Sequence, residues 1–152
     1  MNSVSLPLTA KAGMPKRFQQ PWVVVSEDLD DMHHVNNVCY LQRLQDVAVA
    51  HWLAVTTPAL RAAYVWVARR HVLDYLVPAF LGDDLWVETQ VSRCHGAVCS
   101  RDYRVTRSGD GKTVLVAQTE WCLLDKQSLR PKRIPESIVN LFFQASLIQV
   151  DD

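Results

Sequence analysis

Five titratable side chains are packed into the segment Asp28-Leu29-Asp30-Asp31-Met32-His33-His34-Val35-Asn36-Asn37: Asp28, Asp30, Asp31, His33 and His34. A carboxylate lying just before a helix can attack a carbonyl carbon or deprotonate a water. The first helical amides then face the carbonyl oxygen and take up its developing charge. Asp30 has that position if a helix begins after Asn36 or Asn37. As a base, an Asp with an ordinary pKa of about 3.9 gains from partial burial, whereas attack as a nucleophile needs no such shift. The structural alternative for Asp30 is an acid stabilised by the helix dipole. The same cluster offers oxygen and nitrogen ligands to a metal, but no second, distant ligand set stands out.

The elements that must position this segment follow from pattern. Phe18 to Ser26 carries Trp22-Val23-Val24-Val25, β-branched and aromatic as in a buried strand. From Val38 to about Val55 there is no Gly or Pro, and Leu41, Leu44, Ala48 and Trp52 share one helical face, which predicts a helix capped by Asn36 or Asn37. Its second half, Val47 to Val55, is apolar almost all round and predicts an enclosed helix. Strand-like runs follow at Tyr64 to Val77, Leu85 to Cys94, Ala97 to Arg107 and Thr113 to Leu124. Turn signals separate them at Gly82-Asp83-Asp84, His95-Gly96 and Ser108-Gly109-Asp110-Gly111, too closely for parallel crossovers, so an antiparallel meander is expected. Leu85, Val87, Thr89 and Val91 alternate with Trp86, Glu88, Gln90 and Ser92, giving one buried and one wetter face. After Pro131 and Pro135, Glu136 to about Ile148 predicts a short terminal helix. The fold class is α+β, an antiparallel β-sheet wrapped around a long central α-helix, with a flexible segment over 1–15 and a single domain over 16–150.

Composition narrows the partners. The 152 residues carry 16 Lys plus Arg and 16 Asp plus Glu, so no net field draws the chain to nucleic acid or an anionic membrane, and a small-molecule partner is expected. The basic run Lys126, Arg130, Lys132 and Arg133 reads as a solvated loop that a phosphate-bearing ligand could use. Cys39, Cys94, Cys99 and Cys122 have no Cys-x-x-Cys spacing and read as reduced thiols; with no stretch of about 18 apolar residues to span a membrane, the expected location is cytoplasmic.

The motif Asp28-Leu29-Asp30-x-x-x-His34-Val35-Asn36-Asn37-Val38-x-Tyr40-Leu41, between a first strand and a helix, closely resembles the signature of hotdog-fold thioesterases. The similar groups are the 4-hydroxybenzoyl-CoA thioesterase-like enzymes, including bacterial acyl-CoA thioesterases, and the plant acyl-carrier-protein thioesterases. The likeness runs more loosely from about Arg17 to Leu141 and includes Leu124-Asp125 followed by Arg130-Pro131-Lys132-Arg133-Ile134-Pro135. It implies hydrolysis of acyl-CoA or acyl-carrier-protein thioesters without cofactor or metal, in a homodimer or homotetramer with the site between subunits. It also implies Asp30 as the catalytic acid and the backbone amide of Asn37 as the group that polarises the thioester carbonyl. The plant enzymes place a catalytic Asn and His two and four residues after the Asp; here those positions hold Met32 and His34. His34 can orient water, bond Asp30 or hold the loop.

Asp28 reads as structural, the Asn36 and Asn37 side chains as caps, and Asp46 as a surface partner of Arg43. His51 and His71, single histidines in apolar surroundings, read as satisfied core residues. Tyr40, Leu44 and Trp52 are candidates for an acyl pocket along the helix, although Tyr40 fits equally as a core aromatic. Arg93, Arg101, Arg104, Lys132 and Arg133 are candidates for the phosphates of coenzyme A. Two other readings are a non-catalytic acyl-thioester-binding or scaffold protein, motivated by Met32, and a hotdog dehydratase, which would want an inward acid on the helix.

Overall fold

A computed structural model describes residues 13–144. The strands are β1 (Phe18–Val23), β2 (Tyr64–Tyr75), β3 (Asp84–His95), β4 (Val98–Arg107) and β5 (Thr113–Asp125); the helices are α1 (Asn37–Val55), α2 (Pro58–Ala63) and α3 (Glu136–Phe142). One antiparallel sheet of order β1-β3-β4-β5-β2 lies against α1, the α+β architecture expected of a hotdog fold. Residues 1–12 of the expected flexible segment, and the last part of the expected terminal helix, lie outside the described residues. Pro15 bridges Phe143, which ties the start of the described chain to the end of α3.

Strand β3 alternates as its sequence predicts, with Leu85, Val87, Thr89 and Val91 buried. The expected meander is correct only for β3, β4 and β5. Strand β2 pairs instead with β5 at the far edge, Tyr64 opposite Asp125 and Tyr75 opposite Leu115. Gly82-Asp83-Asp84 is therefore no hairpin between β2 and β3. Residues 76–83 cross from one edge of the sheet toward the other, pinned by Leu76 N–H to the Val114 carbonyl and by Val35 N–H to the Ala79 carbonyl. This crossover becomes a wall of the site described below.

Helix α1 starts where its cap dictates: the Asn36 side chain accepts the Val38 amide at 2.9 Å. The buried stripe is Tyr40, Leu44, Val47, Ala48 and His51, rotated from the predicted face because Leu41 and Trp52 are only half-buried. The helix is not enclosed in the single chain. A sheet covers one side, and Val49 and Leu53 stay 54% and 51% exposed on the other. Among the described residues, no helix is long and apolar enough to cross a membrane.

Candidate active site

Asp30 is half-buried in the loop between a short 3₁₀ turn (Ser26–Asp28) and α1. Its Oδ1 accepts the amides of Met32 at 2.9 Å and His34 at 3.2 Å, and its own amide donates to the His34 carbonyl at 2.8 Å. The loop thus closes on its own acid. No hydrogen bond from a described residue reaches Oδ2, so one carboxylate oxygen is fixed and the other is available. Closing this turn places His33 at φ 62°, the left-handed region that side chains other than glycine visit at a cost.

Asp28 does different work. It is buried, accepts Trp22 Nε1 at 3.1 Å and the Val25 amide at 3.0 Å, and lies 3.7 Å from Arg43, whose guanidinium sits over the Trp22 ring. Its carbonyl accepts the Asn36 amide at 2.8 Å, which ties the loop to the helix cap. Arg43 is therefore taken by Asp28. Asp46, expected to pair with Arg43, accepts instead from Gln42 at 2.9 Å, one helical turn away.

Asp30, His34, Asn37 and Tyr40 line one cavity of about 240 Å³, closed by Tyr75 and by Leu76 to Pro78 of the crossover. Arg107 holds that wall by donating to the Pro78 carbonyl at 2.9 Å while pairing with Asp83 and Asp110. Asn37 is the first residue of α1, and its amide makes no hydrogen bond to a described residue, as first-turn amides do not within a helix. The His34 ring packs edge-on against Phe80 at 5.1 Å, so its contacts to Asp30 are main-chain only. Tyr40 is 3% exposed, and burial pushes its hydroxyl pKa up to about 12. That hydroxyl approaches the Ala79 backbone without completing a hydrogen bond to any described residue.

The structure divides the remaining candidates. Leu44 is core, and Trp52 lines a separate cavity toward the other end of α1, so Tyr40, Leu44 and Trp52 do not form one pocket. Arg93, Lys132 and Arg133 are exposed near the β3–β4 turn, where the Ile134 amide meets the Gly96 carbonyl. In one chain this is the opposite end of the sheet from Asp30. Arg101, expected as surface charge for a phosphate, is 4% exposed and lies inside, because β4 alternation turns it inward with Cys99 and Tyr103. The crossover wall was missed; its sequence signal was Pro78, where the strand run ends. Among the described residues no three His, Cys, Asp or Glu side chains converge as metal ligands would.

Over 130 residues the chain is 23% identical to the acyl-CoA thioester hydrolase YbgC of Escherichia coli O6:H1, covering 84% of this chain and 96% of that protein. The fold is similar to a 1,4-dihydroxy-2-naphthoyl-CoA thioesterase from Synechocystis, with a TM-score of 0.73, 15% identity, and coverage of 83% of this chain and 95% of that one. It is also similar to the Staphylococcus aureus protein SAV2348, solved in complex with CoA, with a TM-score of 0.74, 18% identity, and coverage of 84% and 82%. Residues 24–142 match the thioesterase-like superfamily. The chain belongs to that thioesterase-like superfamily and has the hotdog fold.

Proposed function

We propose that the chain hydrolyses acyl-CoA thioesters, or the corresponding acyl-carrier-protein thioesters, at Asp30. The observation that carries this reading is the shared cavity: a carboxylate with one free oxygen and the unbonded first amide of α1 line the same space. Thioester hydrolysis needs an attacking oxygen on one side of the carbonyl and a donor for the oxyanion on the other. Asp30 Oδ2 supplies the first, by direct attack or by deprotonating water, and the Asn37 amide the second. His34 positions Asp30 through its backbone and the Phe80 contact. The names of the relatives, which include an acyl-CoA thioester hydrolase and a protein solved with CoA, support the CoA substrate.

A homodimer or homotetramer fits the same reading. Among the described residues β2 pairs on one side only, and α1 keeps Val49 and Leu53 exposed, both surfaces that a second copy would cover. Such an assembly would let a partner's basic end, with its Arg93, Lys132 and Arg133, serve the Asp30 cleft of this chain. A cytoplasmic setting accords with four free cysteines. The test is thiol release from a panel of acyl-CoAs of varied length and aromaticity, wild type against Asp30→Asn. No release from any substrate favours the non-catalytic binding protein; release unchanged in Asp30→Asn keeps the enzyme but moves its site.

A further inference from the structure

Toward the C-terminal end of α1 lies a second cavity, of about 300 Å³. Its walls are aromatic: Trp52, Tyr64, Trp66, Trp121 and Phe142. Trp52 meets Trp66 edge-on at 5.7 Å and stacks with Phe142 at 6.1 Å. Among the described residues, the charged ones in its lining are Arg61, Arg101 and Lys126, all cationic.

Arg101 is the residue the rest of the fold does not explain. Its Nη1 donates to His51 Nδ1 at 2.9 Å and to Thr89 Oγ1 at 3.2 Å, and its guanidinium sits 5.5 Å above the Phe142 ring. Neither acceptor carries a charge. Burial and the adjacent Arg101 lower the His51 pKa to about 4, which keeps the imidazole neutral at pH 7. Among the described residues no carboxylate comes within ion-pair distance of Arg101, whereas the far more exposed Arg17 and Arg43 each have one. Nε and Nη2 make no hydrogen bond to a described residue. A guanidinium withdrawn from water without a counter-charge is costly, and a planar carboxylate is the group its fork matches.

We propose that this cavity binds an aryl-substituted carboxylate, with the carboxylate on Arg101 and the ring among Trp52, Trp66 and Phe142. The aromatic walls suit a flat ring, and a carboxylate supplies the missing charge in bidentate geometry. Exposed Lys126 stands at the mouth, and Arg61, held by the Thr56 carbonyl and hydroxyl, adds to the attraction for an anion. His51, stacked on Phe18 at 5.1 Å, keeps Nη1 in place and leaves the other donors for the ligand. Within one chain the site is separate from the Asp30 cleft: Asn37 is roughly 16 to 22 Å along the helix axis from Ala48 and Trp52, at about 1.5 Å per residue.

Titration calorimetry of the intact protein with 4-phenylbutyrate and its neutral counterpart 4-phenylbutyramide tests this. Saturable binding of the acid is expected, with the amide about 10- to 100-fold weaker, as for loss of a hydrogen-bonded charge. Arg101→Met should keep its circular dichroism and a melting temperature at or above wild type, because it removes an uncompensated charge, and should lose the preference for the acid. Asp30→Asn should bind the acid as wild type does, so this result is independent of whether hydrolysis occurs. Equal affinity for acid and amide, undiminished binding by Arg101→Met, no binding at all, or loss of binding in Asp30→Asn overturns the proposal. If Arg101→Met does not fold, Trp66→Ala decides: it should weaken both probes together and leave the preference for the acid intact, and loss of that preference instead overturns the proposal.

Discussion

The two ends of α1 handle charge in opposite ways. At the N-terminal end the acid Asp30 is half-buried, held by amides two and four residues away, beside an amide that the helix leaves unbonded. Toward the C-terminal end the cation Arg101 is fully inside, held by a neutral imidazole and a hydroxyl from distant parts of the chain. The first arrangement is local and nearly self-sufficient; the second depends on four elements meeting and has no counter-charge among the described residues. A helix N-terminus attracts negative charge and offers donors, so an acid there needs little else to be placed. An inward cation has no such help, which is why its environment points to something it must meet.

The largest effect expected from breaking this contrast is at the polar end. Asp30→Asn should lower kcat/KM for acyl-CoA hydrolysis by about 10²- to 10⁴-fold, the range for loss of a positioned base, with larger losses for loss of a nucleophile. The melting temperature should move little, because the Asn Oδ1 still accepts the Met32 and His34 amides. A large fall in stability would show that the Asp30 charge holds the loop, and the N-terminal end would no longer be self-sufficient.

The next effect belongs to the apolar end. His51 is neutral when folded, with a pKa of about 4, but in the unfolded chain it takes a proton near its ordinary value of 6.5. The folded pKa is the lower one, so this contribution to stability is whole above pH 6.5 and is lost as pH falls toward 4. It amounts to about 3 kcal/mol over that window. Denaturant unfolding at pH 7 and pH 4.5 should show this loss in wild type and much less of it in His51→Gln, whose amide oxygen can still accept from Arg101. Equal losses in the two proteins would mean that His51 is not buried neutral.

These two regions also differ in how far they could be read from sequence. Asp30, His34, Asn37 and Tyr40 lie within eleven consecutive residues, and cap preference, helix start and the Asp-x-Asp motif together predict the neighbourhood in which the structure finds them. The Arg101 cavity draws on α1, α2, β2, β4, β5 and α3, and no local spacing brings those elements together. One signal was present: in Cys99-Ser100-Arg101-Asp102-Tyr103-Arg104-Val105 the inward positions of a period-two strand are Cys, Arg, Tyr and Val. Reading Arg101 as surface charge followed its residue type instead of its place in the alternation. Topology failed for a related reason. Strand lengths and turns predicted the β3–β4–β5 meander, but the pairing of β2 with β5 is a choice of edge that turn chemistry does not encode.

A smaller perturbation separates the helix start from the acid. Asn36→Ala removes the acceptor for the Val38 amide and should cost about 0.5 to 2 kcal/mol of stability, measured by thermal unfolding. Fraying of the first turn moves the Asn37 amide, so hydrolysis should slow several-fold while binding of 4-phenylbutyrate at the other end of the helix is unchanged. Coupled losses at both ends would mean that α1 responds as a rigid rod, not as two independent termini.

The smallest effect is expected at Tyr40, whose orphaned hydroxyl makes the polar end resemble the apolar one. A buried hydroxyl without a partner costs about 1 to 3 kcal/mol relative to a bonded one, so deleting it should not harm the unliganded fold. Tyr40→Phe should leave the melting temperature equal or slightly raised, since ring packing against Trp22 and Tyr75 is kept. If the hydroxyl donates to a substrate in the Asp30 cleft, KM should rise a few-fold with kcat nearly constant, the signature of binding made equally in ground and transition states. A stability loss above about 1 kcal/mol would instead place a formed hydrogen bond in the folded chain. Tyr40 would then be core, and Arg101 would stand alone as a buried polar group awaiting a partner.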